Sequence, residues 1–467
     1  MYFRIIPVLV GLVFASQSLV CVPTQENTES QTTKSQTLSI LSTTTSDERG
    51  YTLIELLEAA KNNHNLEAKD IAILQAKANQ AAAKREFLPT LDGSYSFQDT
   101  NNTYRTMQTQ SAQLQAKWEL FSGLKTYNKV REKNSLYRSS IADRANTQEQ
   151  IFLSVIEQYY TYFSNKSQKV ALEQQHKQLE ENIKRTEKLY QAGLTTIDDV
   201  ESLRAEILST EHDMANIVLE MERNKLMLSL LTNLEVKELS RITIKMPTFT
   251  LQKRQDLIAL EEQANSVMYQ AKQITYLPTI ALSDTFAWNY FDTGSYRSKP
   301  ALNDLFASIG GGGTSGVGAA YGNPTFMQMS YPPTQNVIGV SVNMRLFDWF
   351  NLSKQKEAVR YAAMQRQKEL AYKKYEQEKD EKLYRKSIEI AEARIKSAEA
   401  ALKSASVSFE NVARRYEAQV LNFSDYLQSL SRRFSAESTY TQSLNDYEIE
   451  KARYIYYSGQ QIEDYIE

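Results

Sequence analysis

Two kinds of hydrophobic periodicity alternate along the chain. In "SAQLQAKWELF", which starts at Ser111, every second residue is apolar and the residues between are polar, and "VIGVSVNMRLF" from Val337 repeats this pattern. Such alternation predicts β-strands with one apolar and one polar face. The segment "IALSDTFAWNYF" from Ile280 follows it less cleanly, because Asp284 falls on the apolar side.

The lengths of these runs favour membrane strands over a half-buried sheet in a soluble domain, which would alternate in the same way. They match the roughly 9 to 11 residues that a tilted membrane strand needs. Aromatic residues near strand ends are typical of membrane interfaces. The sequence places Trp118, Trp288, Tyr290 and Phe291 there.

A helical period covers the segments from about Lys125 to Tyr190 and from about Ser353 to Tyr416. At ~1.5 Å per residue, each helix would be on the order of 100 Å long. The second segment has apolar or small residues at alternating steps of four and three, which is the spacing of a left-handed coiled coil. Its predicted seam is Tyr384, Ile388, Ala391, Ile395, Ala398, Leu402, Ala405, Phe409, Val412 and Tyr416.

The chain is a tandem duplication. "FLPTLDGSYSF" at Phe87 recurs as "YLPTIALSDTF" at Tyr276, an offset of 189, and "WELFSG" at Trp118 recurs as "MRLFDW" at Met344, an offset of 226. The second copy therefore carries 37 more residues between these two motifs, including a glycine-rich stretch. A helical run ends at Leu-Pro in each copy, from Thr52 to Phe87 and from Arg254 to Tyr276, where proline stops the helix.

The repeat and the composition together predict a domain organisation. The first residues combine one arginine, an apolar stretch and small residues, as a secretory signal does, and a Ser-, Thr- and Gln-rich segment follows. We predict a signal peptide (1–22), a disordered segment (23–50), a first repeat (51–233), a linker (234–253), and a second repeat (254–467) with a longer external loop (294–335).

Cys21 is the only cysteine, which excludes an intramolecular disulfide. A cysteine at this place is either a lipid attachment site or a residue removed with the signal peptide. After the signal, no window approaches the roughly 18 to 20 apolar residues of a spanning helix, so membrane entry would require strands.

The charge balance argues against nucleic acid as a partner, and the sequence motifs give no support for an enzyme. Basic and acidic residues nearly cancel, at 54 and 56, and no basic run is interleaved with aromatic residues. His64, His176 and His212 have no metal-ligand spacing, and no phosphate loop or nucleophile elbow is present. We therefore expect no catalytic site, cofactor or metal.

These motifs in duplicated order resemble the TolC-like outer-membrane efflux proteins. The resemblance runs from "YTLIELLEAAKNNHNLEAKDIAILQAKANQAAAKREFLPTL" through "WELFSGLKTYNKV" and "YQAGLTTIDDVESL" to the last helix. It implies a mostly helical homotrimer in the outer membrane. Four strands per chain would close a twelve-stranded β-barrel, and long coiled-coil helices would form a periplasmic α-barrel.

The implied function is that of a passive exit duct for drugs or other small molecules. An inner-membrane transporter would drive it through a periplasmic adaptor protein, and outer-membrane lipid would surround the barrel. Two alternatives stay open from sequence: the exit duct of a type I protein secretion system, and a periplasmic coiled-coil scaffold.

The tips between the long helices are the candidate functional site. Gly193 suits a left-handed helix end, and Thr196 with Asp199 resembles a capping box, which Asn422 and Asp425 repeat. The resemblance implies a second role for Asp425, as one of a ring of acids that lines the closed periplasmic gate, to which Asp199 would contribute less. Tyr190 and Tyr416, the last tyrosines before each tip, are either gate residues that hold the closed state or ordinary core residues. The resemblance also implies that the adaptor contacts Gly193, Leu194, Thr195, Gln419, Val420 and Leu421.

Overall fold

The computed structural model describes residues 50–101, 106–293, 334–418 and 420–466. The predicted signal peptide with Cys21, nearly all of the predicted disordered segment, Gln419 and nearly all of the predicted external loop lie outside these residues. The loop prediction is two residues too long at its end, because a strand already begins at Thr334.

The described elements follow the same order in both halves of the chain. The first half contains α1 (Leu53–Ala60), α2 (His64–Arg85), β1 (Thr90–Asn101), β2 (Thr106–Phe121), α3 (Lys125–Gln191) and α4 (Ile197–Thr232). The second contains α5 (Gln255–Gln273), β3 (Thr279–Thr293), β4 (Thr334–Asn343), α6 (Asn351–Glu417), α7 (Phe423–Ser458) and a 3-10 turn (Ile462–Tyr465). Both long helices have 67 residues and both following helices 36.

The first helical run is broken, whereas the sequence pattern predicted one helix from Thr52 to Phe87. Asn63 causes the break, because its side chain accepts the Asn65 N–H at 2.8 Å and caps α2. The Asn63 amide also donates to the Leu230 and Leu231 carbonyls at 3.2 and 2.9 Å. The break therefore ties the start of α2 to the end of α4.

The four strands form one antiparallel sheet in the order β1-β2-β3-β4. Trp118 on β2 pairs with Leu282 on β3, which pairs with Val340 on β4, so their side chains share the predicted apolar face. Asp284 lies on this face between Ala116 and Ile338, as its position in the alternation predicted. Beyond Asn343 the strand prediction was wrong, since residues 344–348 leave the sheet and lead into α6.

The coiled-coil seam of α6 faces α7. All ten predicted seam side chains are buried or half-buried, and Ile388, Ala391 and Ala398 are buried. Tyr384 stacks on Tyr457 of α7 with ring centroids 4.2 Å apart. The 3.5-residue pattern thus identified the packed face of this helix.

The hydrophobic core lies where α1, α3, α4, α7 and the linker meet. Tyr159 and Tyr160 of α3 are buried there, and the Tyr160 hydroxyl donates to the Ile242 carbonyl of the linker at 2.8 Å. The backbone of Ile244 is held by a buried ion pair on α7: its N–H donates to Glu448 at 2.8 Å and its carbonyl accepts from Lys451. These bonds satisfy linker backbone groups that no helix or sheet ladder pairs.

In the described part of the chain, no helix combines the length and the apolar character needed to cross a membrane.

Candidate functional site

The first tip is closed by backbone geometry that suits glycine. Helix α3 ends at Gln191, and Gly193 has φ +71°. The Gly193 N–H donates to the Tyr190 carbonyl and the Leu194 N–H to the Leu189 carbonyl, both at 2.9 Å. This pattern satisfies carbonyls that the helix end leaves unpaired, and it leaves the Leu194 side chain largely exposed.

The carboxylate of Asp199, at the start of α4, accepts hydrogen bonds from other residues of the tip. It accepts the Thr195 hydroxyl, the Thr196 hydroxyl at 3.1 Å and the Thr196 backbone N–H at 3.4 Å. The Thr195 hydroxyl, followed by the Thr196 donors, lowers the pKa of Asp199. The predicted capping role of Thr196 and Asp199 is confirmed.

The second tip is built on the same plan, with its cap arranged differently. The Val420 N–H donates to the Arg415 carbonyl at 2.9 Å, and the Asn422 side chain accepts the Asp425 backbone N–H at 2.9 Å. Asn422 thus caps α7 by its own oxygen. Within the described residues, the Asp425 carboxylate takes part in no hydrogen bond or ion pair, and it is exposed.

The two tip tyrosines differ in their surroundings. Tyr416 stacks on Tyr426 of α7 with ring centroids 5.0 Å apart, and Tyr426 also contacts Phe409 at 5.5 Å. The Tyr190 side chain is exposed. Sequence reasoning missed Tyr426, although its place one turn after the Asn422 cap puts it beside the last turn of α6.

Both tips lie at the same end of the molecule. The Ser424 hydroxyl at the start of α7 donates to the Asn182 side chain of α3 at 2.7 Å. An open cleft of about 380 Å³ beside this bond is lined by Glu181, Asn182, Lys184, Arg185, Lys188, Leu189 and Ser424. Neither Ser424 nor Asn182 was predicted, since only the tertiary structure brings α7 onto α3.

The remaining polar candidates have structural partners. His176 of α3 is 3.2 Å from Glu211 of α4, and His212 of α4 contacts Asn216 at 3.0 Å. Among the residues that the structure describes, no group of three or more histidine, cysteine, aspartate and glutamate side chains is placed to hold a metal ion.

The fold is that of solved outer-membrane channels. It is similar to the CmeC outer membrane channel of Campylobacter jejuni, with a TM-score of 0.71, 16% identity, and coverage of 89% of this chain and 87% of that one. It is also similar to the open state of the MtrE outer membrane channel of Neisseria gonorrhoeae, with a TM-score of 0.68, 15% identity, and coverage of 88% of this chain and 89% of that one. The outer membrane protein VceC of Vibrio cholerae matches with a TM-score of 0.67, 15% identity, and coverage of 88% of this chain and 96% of that one.

Residues 56–234 match the model of the outer membrane efflux protein family. No curated protein matches the chain. The family match and the structural likeness together confirm the resemblance to outer-membrane efflux proteins that the duplicated motifs indicated.

Proposed function

We propose that this protein is the outer-membrane exit duct of a tripartite export system and works as a homotrimer. One observation carries the proposal: the sheet ends in two strand edges, β1 and β4, and presents an apolar face to the surroundings. Leu91, Ile338 and Val340 on that face are each at least two-thirds exposed. An open sheet edge is not tolerated in lipid, so copies of the chain must join.

Three copies would close a twelve-stranded barrel. Two copies would supply eight strands, and side chains fill the interior of an eight-stranded barrel. Twelve strands leave room for a conducting channel. The two repeats of each chain would then be consecutive sectors of the barrel. The long helices all leave the sheet at one end and would continue as a periplasmic tunnel, with the glycine-rich loop at the opposite, external end.

The tips are proposed to serve two purposes. The exposed turn around Gly193, Leu194 and Thr195, with Gln419, Val420 and Leu421 of the second tip, would contact a periplasmic adaptor. The helix starts would form the gate, with Asp425 as the principal acid and Asp199, Tyr190 and Tyr416 around it. Transport energy would come from an inner-membrane transporter that the adaptor links to this duct.

The proposal is tested by the mass and conductance of protein extracted from outer membranes with detergent. We expect a particle of three chains that forms ion-conducting pores in planar bilayers. A stable monomer, or a protein that remains soluble without detergent, would contradict the proposal and favour the periplasmic scaffold.

Substrate class is a separate question. Deletion of the gene should sensitise cells to small toxic compounds, and substituting the tips should have the same effect. If the deleted strain instead failed to secrete a protein into the medium and kept its drug sensitivity unchanged, the duct would belong to a type I secretion system.

A further inference from the structure

The two repeats of one chain contact each other closely at the end of the sheet where the strands lead into helices, and we call this contact the joint. The turn after β2 passes against the segment just before β3. Gly123 and Leu124 in this turn have φ of +64° and +65°. A Cβ on Gly123 would lie 3.0 Å from the Leu277 carbonyl oxygen and 3.1 Å from the Leu277 Cβ, so a side chain there would require Leu277 to move by a few tenths of an ångström.

Because the chain is duplicated, the residues on both sides of this joint have counterparts elsewhere in the same chain. With the offset of 226, Gly123 corresponds to Trp349 and Leu124 to Phe350; with the offset of 189, Leu277 corresponds to Leu88. Trp349 and Phe350 have φ of +54° and +63°, so the turn has the same backbone conformation in both repeats.

Within one chain these counterparts do not meet. Leu88 precedes β1 and Trp349 follows β4, and these strands are the two opposite edges of the sheet. Both side chains are accordingly exposed, Trp349 at 85% and Leu88 at 61%, and the neighbouring Phe87 is 46% exposed.

We infer that the turn containing Trp349 packs on Phe87 and Leu88 of the next copy of this chain, as the turn containing Gly123 packs on Leu277 within one chain. This inference rests on the proposed trimer and adds a specific contact to it. The occupant of the exposed turn is a second copy because the intrachain joint already shows the surface that such a turn fits.

The turn is preformed for this contact. The Asp348 carboxylate accepts the Leu352 N–H at 2.9 Å and the Tyr276 hydroxyl at 3.0 Å, which fixes the start of α6 from within the chain. Phe347 packs edge-on against Trp349, with ring centroids 5.1 Å apart. Together they present a small aromatic surface that needs no rearrangement to dock.

Tryptophan in place of glycine makes the joint between copies different from the joint within a chain. A bulky residue at positive φ is strained, and at the spacing found at Gly123 its Cβ would be in tighter than ordinary contact with Leu277. The joint between copies must therefore be wider by a few tenths of an ångström or more, and the indole fills the added space against Phe87 and Leu88. Loss of the indole should weaken the trimer more than it weakens the individual chain.

Disulfide cross-linking tests this contact. In a Cys21→Ser background, Trp349→Cys combined with Leu88→Cys should give covalently linked copies on oxidation, because a Cβ–Cβ distance slightly above that at Gly123 suits a disulfide at about 3.8 Å. The control combines Trp349→Cys with Phe97→Cys, nine residues further along the chain and roughly 30 Å away. It should not cross-link, nor should either single variant.

Tryptophan fluorescence provides a second measurement that keeps Trp349 in place. The variant Trp118→Phe/Trp288→Phe leaves it as the sole tryptophan. Its emission should shift to longer wavelength when the trimer dissociates, and brominated phospholipid should quench it weakly.

The outcomes separate this inference from the proposed function. A trimeric mass without the Trp349–Leu88 cross-link would overturn the joint and leave the export duct standing. Strong quenching by brominated phospholipid would also overturn it and assign the turn to the lipid interface. A particle that stays monomeric would overturn the proposed function and the joint with it.

Discussion

The two tip acids Asp199 and Asp425 occupy equivalent positions, but their carboxylates are used differently. Three hydrogen bonds from Thr195 and Thr196 hold Asp199 in its capping role. At Asp425 the Asn422 side chain provides the cap by binding the backbone N–H. The Asp425 carboxylate is therefore available for an electrostatic role that capping does not require.

We predict that Asp425 controls ion selectivity at the closed tip more than Asp199 does. Three copies of Asp425 near a narrow opening would concentrate cations and repel anions. Asp425→Asn should reduce cation preference and weaken block by multivalent cations in planar bilayers. Asp199→Asn is the matched control, and it should change selectivity less. Unchanged selectivity with a less stable trimer in Asp425→Asn would contradict a gating role.

Glu149 is a half-buried acid that links α3 to the 3-10 turn near the end of the chain. Its carboxylate accepts the Ile462 N–H at 3.1 Å. Burial raises its pKa from 4.5 to about 7; the Ile462 hydrogen bond opposes this, and the carboxylates of Glu463 and Asp464 add to it. Arg254 lines the same small cavity, and Lys61 pairs with Glu463 at 3.2 Å.

This pKa shift predicts a specific pH dependence of stability. Because the folded pKa exceeds the unfolded one, the native state binds more protons between pH 4.5 and about 7. The free energy of unfolding should therefore fall as pH rises through this window. Glu149→Gln stays neutral and can still accept the Ile462 N–H.

Thermal unfolding measured at about pH 5 and about pH 8 checks this prediction. The wild type should lose stability at the higher pH, and Glu149→Gln should lose less. If both proteins lost the same amount, another titrating group would be responsible.

At the scale of elements, the strand pairing within the chain specifies a pairing between copies. Ala116 of β2 pairs with Asp284 of β3. The repeat offsets of 226 and 189 convert these residues to Val342 and Tyr95. In the proposed trimer Val342 of one copy should therefore lie opposite Tyr95 of the next, with both side chains on the apolar face.

We predict that Val342→Cys with Tyr95→Cys cross-links copies in a Cys21→Ser background. Val342→Cys with Ser94→Cys is the control, since a shift of one residue places the second cysteine on the other face of the sheet. Covalent trimers on a denaturing gel are the measurement. Equal yields from both pairs would mean that the pairing between copies has no fixed register.

At the scale of the whole molecule, the single chain leaves surfaces that only an assembly would cover. Helix α3 packs on α5 across the two repeats, and the equivalent partner of α6 would be α2 of the next copy. Both helices also carry exposed large apolar side chains, including Ile71 and Leu74 on α2 and Tyr361 and Tyr372 on α6. The exposed strand edges and helix faces thus lie on the same two sides of the chain.

The sequence by itself determined the elements and their duplication. Alternation with period two, heptad spacing and the Gly193 turn depend on residues close in the chain, so they predicted strands, the long helices and the first tip within a few residues. The break at Asn63 was missed although its capping bond to Asn65 is local; only its bonds to carbonyls of α4, more than 160 residues away, lie beyond the reach of local patterns.

Only the tertiary structure decided which groups from distant parts of the chain meet. The difference between Asp199 and Asp425, by contrast, is local, because Thr195 and Thr196 donate hydroxyls to Asp199 where the second tip has Leu421 and Asn422. The Glu448–Lys451 pair that holds Ile244, and the approach of Leu277 to Gly123, join residues more than 150 apart in the chain. Local periodicity carries no information on such contacts, because they depend on how completed elements pack.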